Sequence, residues 1–300
     1  MSSGTERTSA AVAEPLAEPH WHERRAAHER RVRQWTEPHV RRRALGEKHP
    51  VLDFLFTYYS HRPAHLERWH PGVGVALQGS SAAEYLRWKH YTATDAGVTV
   101  DPVLPDNRRR TAVFIRDLLE ATASRPPRLS CFGLHEWAMV YRQPAEQVRH
   151  VAWPLRLGPA GTDAVVESHR VACGHYDAFR FFTPPARPLN TLSPSREGQT
   201  GMEQPGCLHA GMDLFKWAYK LDPYTPSELV ADCFELAMDI RALDMRASPY
   251  DLSELGYDPI PIETPEGRAE YVRRQAAFAE RGAPLRARLI DLCRTLLPED

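Results

Sequence analysis

Four side chains in one stretch have the types and spacing to do chemistry together: His175, Asp177, His209 and Asp213. They fall within AVVESHRVACGHYDAFRFFTPPARPLNTLSPSREGQTGMEQPGCLHAGMDLFKWAYKL, residues 164–221, which also carries His169, Cys173 and Cys207. An aspartate here could activate water or stabilise a developing positive charge, with a histidine orienting it. Two histidines and a carboxylate could instead bind iron or zinc and leave positions open for substrate. In that case His175, Asp177 and His209 would be the ligands, with His169 or Asp213 beside them. Neither His169-x5-His175-x-Asp177 nor Cys207-x-His209-xxx-Asp213 is an established metal spacing. A buried polar network would use the same residues.

These groups need elements to hold them. His169, His175 and Asp177 share a face if they lie on a strand. The alternation on either side of GPAG predicts a β-hairpin over residues 150–182. His209 and Asp213, four apart, share a face of a predicted helix over 209–221, ended by Pro223 and Pro226. Between the two, the Pro- and Gly-rich residues 184–205 predict a long central loop, the site's lid or wall. Ser227 opens a strongly periodic helix with an apolar stripe at Val230, Cys233, Ala237 and Ile240 and an acidic one at Asp232, Glu235 and Asp239. Further helices are predicted over 20–43, broken before Pro38, from Asp106, and from Thr264, broken at Gly282–Pro284. Residues 73–78 and GVTVD alternate as short strands. His135-Glu136 starts like a zinc-protease helix but lacks the second histidine. The fold class is α+β: a predominantly helical single domain over residues 20–300, with a small antiparallel sheet from 73–78 and 151–182 and the long central loop.

A formal charge of −1 gives no global pull toward nucleic acid, although a local basic face would suffice. Five cysteines without paired spacing argue against a disulfide framework and for a reducing cytoplasm. No apolar run suggests a membrane partner. Residues 1–19 are small, polar and Pro-punctuated, which predicts a disordered tail.

Three stretches, GEKHPVLDFLFTYYSHRPAHLERWHPG, CGHYDAFRFFTPPARPLN and EQPGCLHAGMDLFKWAYKL, are similar to a group of actinobacterial proteins labelled 3-methyladenine DNA glycosylase. The likeness runs over roughly residues 20–295. It implies a DNA-repair hydrolase that cuts the N-glycosidic bond of alkylated bases in double-stranded DNA, without a cofactor. Neither the helix-hairpin-helix nor the compact alkyladenine glycosylase architecture is legible here. LGPAGTDA resembles a phosphate-gripping hairpin, but its flanks read as strands. The site residues therefore come from this chain's own chemistry. Asp177 or Asp213 would activate water and His175 or His209 would orient it. Tyr176, Phe179, Phe181, Trp217 and Tyr219 would wall in a flipped base, and a cationic N3-alkyl adenine favours such rings. Arg41, Arg42, Arg43, Arg108, Arg109 and Arg110 would hold phosphates. The alternative is a metal-dependent enzyme acting on a small molecule through iron or zinc at His169, His175, Asp177 and His209.

Overall fold

The computed structural model describes residues 13–144 and 152–298. Among the long helices the best covered is α9, Leu208–Lys220, whose residues 208–215 are all buried. A helix apolar on most faces must sit inside. Here it lies against α10 (Ser227–Arg246) and α11 (Pro265–Leu296), the two longest C-terminal helices. Gly211 makes the α9–α10 approach possible: a Cβ there would stand 2.9 Å from Ile240 Cδ1. The main core gathers Phe215, Phe234, Leu236, Ile240 and Leu289 from these helices with Ile115 and Leu118 of α4, Asp106–Ala123.

The N-terminal half wraps this bundle. α1, Glu18–Ala44, runs unbroken through Pro38, and its first turn accommodates Pro19. The predicted break is absent, as is the one at Pro284 inside α11. α1 buries His28, Val32, Thr36 and His39 against the short helices α2 (Phe54–Tyr58) and α3 (Pro63–Glu67) and against α10, and buries Trp21 against Leu77 and Tyr85. The acidic stripe of α10 is not left to solvent. Arg31 bonds Asp232 and Glu235, Arg288 bonds Asp232, and Arg281 bonds Asp239. These are interhelix ties at the surface.

The mostly helical α+β class with a small sheet and a long central loop is what the chain adopts. The sheet's composition differs. It has four strands in the order β1-β2-β4-β3, with β1 Glu14–Leu16, β2 Val75–Leu77, β3 Tyr91–Thr94 and β4 Gly97–Val100. β1 pairs parallel to β2 with Leu16 opposite Leu77, and the other pairs are antiparallel. Residues 14–19, expected in a disordered tail, thus supply a strand and the start of α1, while 1–12 lie outside the described residues. Gly97 is required where it stands, because a Cβ would meet Leu77 O at 2.3 Å.

The hairpin expected over 150–182 is absent. Residues 145–151 lie outside the described ones; from Gly158 the chain is helix α6, Gly158–Ser168. GPAG forms its first turn, with Pro159 at the position where its missing N–H costs nothing. The apolar pair Val165-Val166 suits a short strand as well as a helix, and here it serves one buried side of a helix. The extended flank that removed LGPAGTDA from the phosphate-gripping class is therefore helical, and the motif opens a helix instead of linking two. No helix among the described residues is long and apolar enough to cross a membrane.

Candidate functional site

His175 is placed by three elements at once. It precedes α7, Tyr176–Phe179, and its carbonyl accepts from Phe179 N–H. The loop before it is clamped by Asn190, whose Oδ1 accepts from Cys173 N–H at 2.8 Å and whose Nδ2 donates to Cys173 O at 2.9 Å. The ring is 2% exposed and lies between two carboxylates, Nδ1 3.2 Å from Glu203 Oε1 and Nε2 3.7 Å from Asp213 Oδ2. Glu203 directly follows the short helix α8, Gln199–Met202. Neither ring nitrogen makes an aligned hydrogen bond. Burial opposes a charge there, but Cys207 and Glu203 beside the ring win and hold its pKa well above the ordinary imidazole value. Those neighbours favour the imidazolium form of His175.

His209, in the first turn of α9, stacks on His175 with centroids 5.2 Å apart and planes 24° apart. On its other side stands His135 of α5, Leu134–Ala138, edge-on at 4.5 Å. His135 Nε2 donates to Asp244 Oδ1 at 2.8 Å, and Arg241 bridges Asp244 and Glu136 at 3.1 and 2.7 Å. For His135 burial is outweighed by Asp244, which raises the pKa; for His209 burial and the neighbouring His135 charge push it well below the usual value. The proton affinities of these two facing imidazoles are thus driven in opposite directions.

Both line a cavity of about 390 Å³, together with Glu203, Cys131, Cys173, Cys207 and Phe132. Its mouth carries Arg128 and Arg170, exposed guanidiniums that make no ion pair among the described residues. His169 is at the same mouth, its Nδ1 bonded to Val165 O and its Nε2 3.1 Å from Arg268 Nη1. It C-caps α6 and does not join His175.

The expected aspartates sit behind the histidines. Asp213 is 1% exposed, accepts from Tyr59 OH at 2.8 Å and from Lys216 Nζ at 3.1 Å, and does not line the cavity. Asp177 lies one step further back, against Lys216 at 3.0 Å and Arg180 at 3.1 Å. Burial would raise its pKa, yet Lys216 and Arg180 hold it below the ordinary value. A small cleft lined by Asp177, Phe181, Tyr58 and Arg241 meets the cavity only at His209. Two groups of donors are close enough to share an ion: His175 with Glu203 and Asp213, and His209 with His135 and Asp244. The set anticipated from the sequence, His169 with His175, Asp177 and His209, is not assembled. Glu203, His135 and Asp244 complete the site. Only His135 had a sequence signal; Glu203 and Asp244 reach it through the folding of distant segments.

The aromatic residues expected to wall the site are elsewhere in part. Trp217 is buried against Phe114, Tyr219 donates to Tyr59 O, Phe179 packs on Phe182, and Tyr176 lies beneath Arg196. None of them, nor Phe181, lines the cavity; Phe132 does. The expected phosphate contacts are also away from it. Arg42 is held by Asp53 at 2.6 Å, Arg108 donates to Lys220 O at the end of α9, and Arg41, Arg43, Arg109 and Arg110 are exposed. No family model, curated protein or solved structure matches this chain.

Proposed function

We propose that the protein is a hydrolase that works by general acid–base catalysis from His175 and His209, and that the bond it cuts is the N-glycosidic bond of an alkylated base such as 3-methyladenine in DNA. One observation carries the acid–base part. Two imidazoles stack at 5.2 Å on one cavity wall while their surroundings drive their proton affinities apart. Such a pair supplies an acid and a base at the same pH. Neutral His209 takes a proton from water as it attacks the sugar carbon. The His175 imidazolium hydrogen-bonds the departing base. Glu203 and Asp213 keep that imidazolium charged and hold the ring, so the carboxylates act through the histidine. The bond class rests on the sequence resemblance. A cavity of about 390 Å³ suits one extruded nucleoside, and Arg128 and Arg170 at its mouth suit the flanking phosphates.

Release of 3-methyladenine from methylated duplex tests this reading. Base release by the protein, lost about a hundredfold or more in His209→Ala, is expected, since a positioned base contributes that much. No release by the folded wild-type protein sinks the glycosidic assignment. The metal-dependent alternative has the two donor groups in its favour. Against it, charge already closes without an ion: His175, Lys216 and Arg180 face Glu203, Asp213 and Asp177, and His135 and Arg241 face Asp244 and Glu136. Stoichiometric iron or zinc in protein purified without chelator would favour the metal.

A further inference from the structure

We propose that His135, His209 and Asp244 form an exchangeable zinc site, and that zinc held there switches off the base of the proposed reaction. The site rests on geometry; only the switching rests on the reading of His209 as the base.

The three donors come from three helices: His135 from α5, His209 from α9 and Asp244 from α10. One donor atom of each lies within 4.8 Å of the other two. His135 Nε2 and Asp244 Oδ1 are 2.8 Å apart, and the His209 ring stands across His135 at 78°. Donors of a tetrahedral zinc stand about 3.3 Å apart, given bonds of about 2.0–2.1 Å. The His135–Asp244 pair therefore opens by about half an ångström and His209 closes in, both small side-chain movements. Arg241 takes the second oxygen of Asp244, which aims Oδ1 at the histidines, and Glu136 answers the Arg241 charge. Such outer partners fix and tune a metal ligand.

His209 gives an independent sign of a missing partner. It is 8% exposed, yet its ring makes no hydrogen bond with any described residue. A buried polar group left open in this way is costly unless something answers it. His135 and His209 both line the cavity, so an ion reaches them from one side. The other donor group is a poorer host. Glu203 lies at His175 Nδ1 and Asp213 at His175 Nε2, on opposite edges of one ring. An ion can take only one of those nitrogens, and then it loses a carboxylate. The cavity thiols belong to neither group. Two imidazoles and a carboxylate, with one side open, suit four-coordinate zinc. Without the ion, the His135 Nε2–H bridges to Asp244. Zinc displaces that proton to solvent, so the fold stands with or without it. His209 then has its lone pair on the metal and cannot take a proton from water.

The test strips the intact protein with chelator and titrates it with zinc against a chromogenic chelator. A parallel titration with Co²⁺ reads tetrahedral coordination from its visible absorption. One equivalent should bind the wild-type protein. His209→Gln is the gentler variant, because that ring holds no hydrogen bond among the described residues. It and His135→Gln should each weaken binding about a hundredfold or more, beyond the cost of losing a supporting residue. His175→Gln and Cys207→Ser should leave it unchanged. Wild-type protein that takes no zinc overturns the site, whether or not the variants fold. Binding lost in folded His175→Gln or Cys207→Ser but kept in His209→Gln also overturns it. Stripped protein should release base and stop as the equivalent of zinc binds. Release that needs zinc, or that ignores bound zinc, overturns the switch. No release from either form sinks the glycosidic reading and the switch with it, while the zinc site stands or falls on the titration.

Discussion

Asp244 holds His135 through a 2.8 Å hydrogen bond in a place where neither side chain sees solvent, and the same carboxylate takes Arg241 on its second oxygen. Arg241 also lies 3.8 Å over the Phe54 ring, so its charge is covered on one face and paired on the other. Removing it would leave Asp244 with a single cation in a low-dielectric interior. Arg241→Met should destabilise the fold by about 3–5 kcal/mol, the usual cost of breaking a buried pair from one side. Urea unfolding measures this. A loss under about 1 kcal/mol would mean that His135 alone satisfies Asp244.

Burial also sets a pH dependence. His61 is 6% exposed, its Nε2 has no partner, and desolvation lowers its pKa to about 4. The unfolded chain takes the proton near pH 6.5, before the folded one does. Its contribution to stability is therefore complete above pH 6.5 and is lost as pH falls toward 4. Between pH 7 and pH 5 the loss for this residue should be about 2 kcal/mol. His61→Phe, which keeps the stacking on Tyr219 at 4.4 Å, should flatten the acid side of the stability profile. An unchanged slope would place the acid sensitivity in His70 instead, lowered to about 3.

How much of this was legible in the sequence depended on how local the cause was. α9 and α10 could be read because every apolar residue needed lay within a few turns, and Thr264 does cap α11, accepting from Gly267 N–H. His209 and Asp213 do share a helix. The hairpin misled because Val165 and Val166 belong equally to a strand or a helix until the partner surface is known. Glu203 and Asp244 left no signal, since they approach His175 and His135 only after segments 28 and 109 residues apart are packed. The basic stretch of α1 looked free for phosphate because its partners, Glu228, Asp232 and Glu235, lie some two hundred residues away.

That redistribution of charge bears on DNA. Arg31 is half-covered and tied to Asp232 and Glu235, and Arg42 is tied to Asp53, so neither is available without breaking a pair. Arg128 and Arg170 carry no such tie among the described residues. Replacing both with Gln should lower the slope of log affinity against log salt by about two for methylated duplex, one for each phosphate left without its cation. Replacing Arg41 and Arg43 should leave it unchanged. The opposite result would put the DNA track along the end of α1, away from the cavity mouth.

The pH profile of base release separates the two histidines. His209 is kept neutral by burial and by the His135 charge, so the base is ready below pH 6.5 and the acid limb of the profile falls well under that value. His175 is kept charged by Cys207 and Glu203 against burial, so the acid persists above pH 6.5 and the alkaline limb lies higher still. A broad plateau across pH 6.5 is expected; two ordinary imidazoles would give a narrow peak of low amplitude there, because few molecules would hold one proton on the correct ring. His135→Gln deletes the cation next to His209 and should move the acid limb up toward pH 6.5, leaving the alkaline limb in place. Glu203→Gln should do the reverse, drawing the alkaline limb down while the acid limb stays. Movement of both limbs together in either variant would show that the pair titrates as one unit, and the separate assignment of base to His209 and acid to His175 would fall.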